Sequence, residues 1–226
     1  MTDILAGIGG LVAGAAATVG VALAWRARPR LRKPELHTLD IAHGNWVCPA
    51  ACVDFSGAPP IEVGMDVVDA WLSCERAAPV SWHIRSVLLA GRAQSLVITG
   101  VRPHVRQLPG LVMRSTVVTQ LGGNGYLRRR ANVTIGPTGT SVRLFDDTNQ
   151  ELTSLGLNLS QGDALEFLFY LEAETPGAAH AISLELELLA DGKPTALAVA
   201  DGRRFTIGTA PPDAATHTYP GANLMY

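Results

Sequence analysis

The chain has 226 residues, with 18 basic and 20 acidic side chains for a net charge of −2, and 47% of its residues are hydrophobic. Past residue 33 there are 13 basic side chains against 19 acidic ones, so the bulk of the chain is net acidic, which argues against a general nucleic-acid surface. About 190 residues rich in aliphatic side chains are enough for one good core.

Residues 1–25 read as a transmembrane helix. Ile4 to Trp25 holds no charged side chain, and at 1.5 Å per residue it makes a helix about 33 Å long, sufficient for a hydrocarbon core of about 30 Å. Arg26, Arg28, Arg30, Arg32 and Lys33 follow at once. By the positive-inside rule they set the N-terminus outside and the C-terminal domain in the cytoplasm of a single-pass cell-membrane protein. Each cation held against anionic headgroups adds about 1 kcal/mol of attraction, so these five are expected to touch the membrane surface. Ala6, Gly10 and Gly14 recur at intervals of four on one helical face, a spacing that lets a second backbone approach closely. They are the expected helix-association face, for a homo-oligomer or a partner transmembrane helix. Two other readings compete. Ala22-Leu23-Ala24 matches a signal-peptidase site, but the n-region lacks positive charge and the cationic flank resists export. A buried helix of a soluble domain would need a core around it, and arginines and prolines come next.

Residues 26–60 read as a basic collar and irregular linker, punctuated by Pro and Gly without a period of 3.6 or 2. Residues 61–210 read as a β-sandwich domain, because short apolar, β-branched runs alternate with turn signals every 8 to 15 residues. The expected strands are 61–72, 81–89, 95–107, 111–121, 126–135, 141–145, 164–174, 181–190, 196–199 and 205–208, with no helix after the span. Leu184, Leu186 and Leu188 alternate with Ser183, Glu185 and Glu187, so this strand is expected to bury leucine and wet glutamate. Asp191-Gly192 and Asp201-Gly202 read as tight turns of a C-terminal meander. Residues 211–226 show no periodic face and are expected to be mobile.

Arginine far outnumbers lysine, and Ala and Gly are in excess, the composition of a GC-rich bacterial genome. The closing pattern from Asp191 to Phe205, D-G-K-P-T-x-L-x-V-x-D-G-R-R-F, lies behind a β-rich body, a short anchor and an arginine-rich collar. In these features the chain resembles a group of uncharacterised anchored β-sandwich proteins of GC-rich bacteria. The resemblance covers the last 130 residues or so and the overall layout. It implies an all-β, immunoglobulin-like antiparallel sandwich behind one transmembrane helix, and it transfers no activity.

The usual catalytic spacings are missing, namely G-x-x-x-x-G-K-[ST], G-x-S-x-G and H-E-x-x-H. Gly122-Gly123-Asn124-Gly125 lacks a following Lys and reads as a hairpin turn. Glu172/Glu174 and Glu185/Glu187 share strand faces and read as solvated ladders rather than acid/base pairs. His43, Cys48, Cys52 and Cys74 offer zinc-type ligands, but without the two close pairs of a structural site; three reduced thiols are the simpler reading. The sequence therefore implies no catalytic residue, cofactor or metal.

Charge is sorted along the domain: ten arginines and no acid between Arg76 and Phe145, then ten acids and no base between Asp146 and Asp191. If strands of the two blocks pair, the sorting is structural. If they separate, a basic side forms, and Arg128, Arg129 and Arg130 would meet a protein or anionic partner. The leading expectation is a non-enzymatic binding or scaffolding module at the cytoplasmic membrane face. The alternatives are an enzyme whose dispersed site would involve His83, His104 or His180, and an exported cell-surface domain.

Overall fold

The computed structural model describes residues 33–91, 93, 95–119, 129–157, 163–220 and 222. The expected span, its Ala6, Gly10 and Gly14 face, the collar arginines Arg26, Arg28, Arg30 and Arg32, the 122–125 turn and Arg128 lie outside the described residues. Lys33 is described and exposed. Among the described residues, no helix is long and apolar enough to cross a membrane.

The body is built of strands, in a β-sandwich-like arrangement. One six-stranded sheet has the order β1 (Glu35–His43), β4 (Ser81–Leu89), β11 (Ala164–Ala173), β7 (Arg130–Gly136), β8 (Gly139–Phe145), β9 (Glu151–Leu152). The second runs β10 (Leu155–Leu157), β5 (Leu96–Gln107), β12 (Ala179–Ala190), β13 (Lys193–Ala198), and β14 (Phe205–Gly208) also pairs with β12. The inward residues of both sheets form one core: Ile84 and Leu88 from β4, Phe167, Phe169 and Leu171 from β11, and Ile98, Ile182, Leu184 and Leu186 from the facing sheet. Period-2 alternation puts these side chains on one face of each strand, and burying them drives the two sheets together.

β4 and β14 span the residues expected of them, and β5, β11 and β12 begin or end within two residues of expectation. Other expectations are corrected. The sandwich is not wholly antiparallel: β11 pairs with β7 in parallel. After β8 and β9 the chain crosses to the second sheet as β10 before returning, and such a crossover is what parallel pairing requires. Residues 35–48 are not linker, since β1 pairs with β4 along nearly its whole length and β2 (Trp46–Cys48) is fully buried. The meander is half right. Asp191 and Gly192 take positive φ in a two-residue hairpin turn, but Val199–Gly202 is a 3-10 turn that sends β14 onto β12 instead of β13.

The largest correction concerns residues 61–72, expected as a strand. They form a 3-10 turn, Ile61–Val63, and helix α1, Met65–Cys74. Val68 and Leu72, four apart, are buried together, with Met65 and Trp71 packed beside them. Helix α1 covers a third sheet of order β15 (Ala215–Thr218), β6 (Ser115–Val118), β2, β3 (Ala78–Pro79). The tail expected to be mobile thus supplies a strand, and Tyr219 is fully buried, donating from its hydroxyl to the Pro59 carbonyl at 2.6 Å. Gly208 joins this sheet to the sandwich: a Cβ there would sit 2.9 Å from Val47 Cγ2, so only glycine lets β14 and β2 approach.

Candidate functional site

The solvent face of the β5–β12 pair follows from alternation. Leu184, Leu186 and Leu188 are buried as expected, which turns Ser183, Glu185 and Glu187 outward. On β5 the matching outward row is Arg102, His104 and Arg106. The register sets Arg102 opposite Glu185, His104 opposite Ser183 and Arg106 opposite Ala181. Arg102 bonds to Glu187 and lies 3.7 Å from Glu185, and His104 Nε2 lies 3.4 Å from Glu185. There the carboxylates stop. Arg106 faces an alanine, and Arg204 arrives beside it from the segment leading into β14, which borders the same end of β12. The neighbouring Arg203 lies over the Phe205 ring at 5.5 Å, so the two consecutive arginines are used differently. His104, Val105, Arg106, Ala181, Ser183 and Arg204 line a half-open groove of about 270 Å³. Among the described residues Arg106 and Arg204 have no ion pair.

Elsewhere the sorted charges find each other. Arg85 donates to Glu166 at 2.8 Å across β4 and β11, Arg129 meets Asp147 at 3.1 Å, and Arg143 lies 3.9 Å from Glu151. Arg130 sits 4.4 Å over the Phe145 ring and bonds to Asn132 and Asn149. The two blocks interleave because β4 pairs with β11 and β5 with β12, which places strands of one sign beside strands of the other. The carboxylate pairs are likewise structural: Glu172 accepts from Thr134 Oγ1 at 2.9 Å, and Glu185 and Glu187 share Arg102. Arg129 and Arg130, the described part of the expected anionic contact, have their charge engaged locally. Arg106 and Arg204 do not.

His43 is the most constrained histidine. Its Nε2 meets Asp69 Oδ2 at 2.7 Å and its Nδ1 the Gly44 carbonyl at 2.8 Å, with the ring between the edges of Trp46 and Trp82. Two acceptors call for two ring protons. Burial opposes the charged ring, but the Asp69 hydrogen bond, the Gly44 carbonyl and the Asp69 charge outweigh it, and the pKa is raised. With both nitrogens committed and the side chain 10% exposed, His43 ties α1 to β1 rather than moving protons. His83 packs against Tyr170 at 4.9 Å, its pKa lowered by burial and then by the His43 charge. His180 points into the core, its pKa lowered by burial. Of the candidate histidines, His83 lies on β4 in one sheet, and His104 and His180 point to opposite faces of the β5–β12 pair in the other, so the three are not brought together. Cys48 is buried with its thiol pushed up to about 11 by burial and by Glu75, while Cys52 and Cys74 are exposed. Among the described residues no cluster of three or more His, Cys, Asp or Glu could hold a metal ion.

Ser183 and His104 line the groove, and His104 lies 3.4 Å from Glu185 beside it, the order of a serine–histidine–carboxylate relay. Yet no hydrogen bond links Ser183 to His104 among the described residues, and the His104 and Glu185 side chains are 52% and 37% exposed. Sequence reasoning missed the groove because Arg106 and Arg204 are 98 positions apart. The one available signal was that Arg106 follows Arg102 and His104 at two-residue steps.

No protein-family model matches the chain, and no curated protein does. Among solved structures, it is similar to the "Putative ApaA Protein from Bordetella pertussis", with 9% identity over 81% of this chain and 99% of that one. The TM-score is 0.34, too low to carry an argument about function.

Proposed function

We propose that the protein is a single-pass, membrane-anchored binding module without enzymatic activity, its immunoglobulin-like sandwich held at the cytoplasmic face by the Ile4–Trp25 helix and the collar from Arg26 to Lys33. The observation that carries the reading is the β5–β12–β14 face. Among the described residues, Arg102, His104, Glu185 and Glu187 pair across its strands, whereas Arg106 and Arg204 have no ion pair and present permanent positive charge in a groove. Guanidinium groups bind and orient anions but do not exchange protons near neutral pH, so such a groove suits recognition rather than acid–base chemistry. The uncharged length of the span and the cations directly after it support the anchor and its orientation.

Ser183, His104 and Glu185 favour a second reading, a hydrolytic site on the same rim. Hydrolysis of a p-nitrophenyl ester by the full chain separates the two. The binding reading expects a rate equal to that of buffer and unchanged in Ser183→Ala, and a rate abolished by that substitution would replace it with the enzyme. Extraction of membranes with alkaline carbonate tests the anchor: the protein stays in the pellet if the span is integral, and appears in the supernatant if it is not.

A further inference from the structure

We propose that the groove lined by Arg106, Arg204, His104 and Ser183 is a binding site for a phosphate group, as inorganic phosphate or as the terminal group of a phosphomonoester. This inference rests on the reading of the β5–β12–β14 face as the working surface and names what that surface takes.

The groove's donors come from three separate elements. Arg106 and His104 project from β5, Ser183 from β12, and Arg204 from the segment before β14. A carboxylate has two oxygens in one plane and is satisfied by one forked guanidinium. A tetrahedral phosphate has acceptors on every side and takes two guanidiniums, a hydroxyl and an imidazole together. The nearby acid is already engaged. Glu185 has Arg102 at 3.7 Å and His104 at 3.4 Å, so its charge is shared before it reaches the groove's far end, where Arg106 stands opposite Ala181. Ala181 and Val105 complete the lining beside the two cations. The volume of about 270 Å³ admits a phosphate with room for the attached ester. A half-open, mostly polar groove suits a ligand held by its charged end, the rest extending into solvent.

The same group can reach the site from solution or as the headgroup of a phosphatidic acid, and the anchor would hold the domain near both. The test uses the full chain in a neutral detergent, titrated with inorganic phosphate and, separately, with a short-chain phosphatidic acid, by calorimetry at low and moderate salt. Phosphate is expected to bind one site per chain. Arg106→Ala and Arg204→Ala are each expected to weaken it at least about tenfold, and Arg106→Lys to weaken it less, because lysine keeps the charge but loses the fork. Arg143→Ala, which removes a β8 cation paired with Glu151 of β9, leaves it unchanged. Both groove arginines are exposed and have no ion pair among the described residues, so thermal unfolding of these variants should match the wild type and rule out misfolding. Tighter binding of phosphatidic acid than of phosphate assigns the ligand to the membrane, and equal or weaker binding assigns it to solution. Absence of saturable phosphate binding, or equal loss in Arg106→Ala and Arg143→Ala, overturns the site. That failure leaves the anchor untouched, because carbonate extraction is read independently of any ligand.

Discussion

Asp69→Asn is the most informative single perturbation of the fold, because it keeps the shape of the carboxylate and removes its charge. In the wild type, Asp69 on α1 holds His43 Nε2 at 2.7 Å. A hydrogen bond between charged partners contributes about 1.5–3 kcal/mol. The two side chains are 10% and 28% exposed, so solvent screening leaves the lower part of that range, about 1.5–2 kcal/mol. In a chain of this size each kcal/mol moves the unfolding midpoint by about 2–4 °C, so the loss amounts to about 3–8 °C. The sign of the pH dependence follows from the raised pKa of His43. Its contribution is fully present below the ordinary histidine value of 6.5 and disappears as pH rises through the higher folded value. Thermal unfolding of the full chain and of Asp69→Asn, followed by circular dichroism from about pH 5.5 to about pH 9, should show midpoints that differ most at acid pH and converge at alkaline pH. His83 carries the opposite sign, its pKa being lowered, but it is present in both proteins and largely cancels in the difference. A gap that stays constant or widens with rising pH would refute the charged His43–Asp69 tie.

Other consequences of the architecture are as open to measurement. Gly208→Val should lower the melting midpoint by several degrees, since its Cβ would meet Val47 at 2.9 Å and part the small sheet from β14; a midpoint within error of wild type would contradict that contact. Tyr219→Ala should cost about 3–5 kcal/mol, the size of a buried aromatic truncation, and should raise hydrogen exchange in α1 and β6. Tyr219→Phe removes only the hydroxyl's bond to Pro59 and should cost about 0.5–1.5 kcal/mol. A negligible effect of Tyr219→Ala would return residues 211–226 to the status of a loose tail. In native purified protein, maleimide should modify Cys52 and Cys74 and spare Cys48, whose thiol is buried and pushed up to about 11.

The sequence spoke clearly where one face of a strand is apolar and the other polar. The Ser183–Leu188 alternation gave the inward leucines and the outward glutamates, and short apolar runs between turn signals gave β4, β11 and β14. It misled where secondary structure depends on tertiary contact. Met65–Cys74 carries Val67 and Val68 side by side, which reads as a strand; it is helical because Val68 and Leu72 pack onto the small sheet. Residues 35–43 and 215–218 lack a clean apolar stripe because they are half-exposed edge strands, and their pairing with β4 and β6 is set by partners distant in sequence. The groove was illegible for the same reason. Charge sorting left both cross-strand pairing and a basic side open; pairing across β4–β11 and β5–β12 consumes most of it, and the register alone decides that Arg106 faces an alanine while Arg102 faces a glutamate.

The proposed binding face stands at the cytoplasmic side of a membrane, and Cys52 and Cys74 report on that placement directly because both are exposed. A membrane-impermeant maleimide applied to intact spheroplasts should leave both thiols unmodified and should label them once the membrane is lysed. Labelling in intact spheroplasts would place the domain outside the cell and contradict the cytoplasmic assignment.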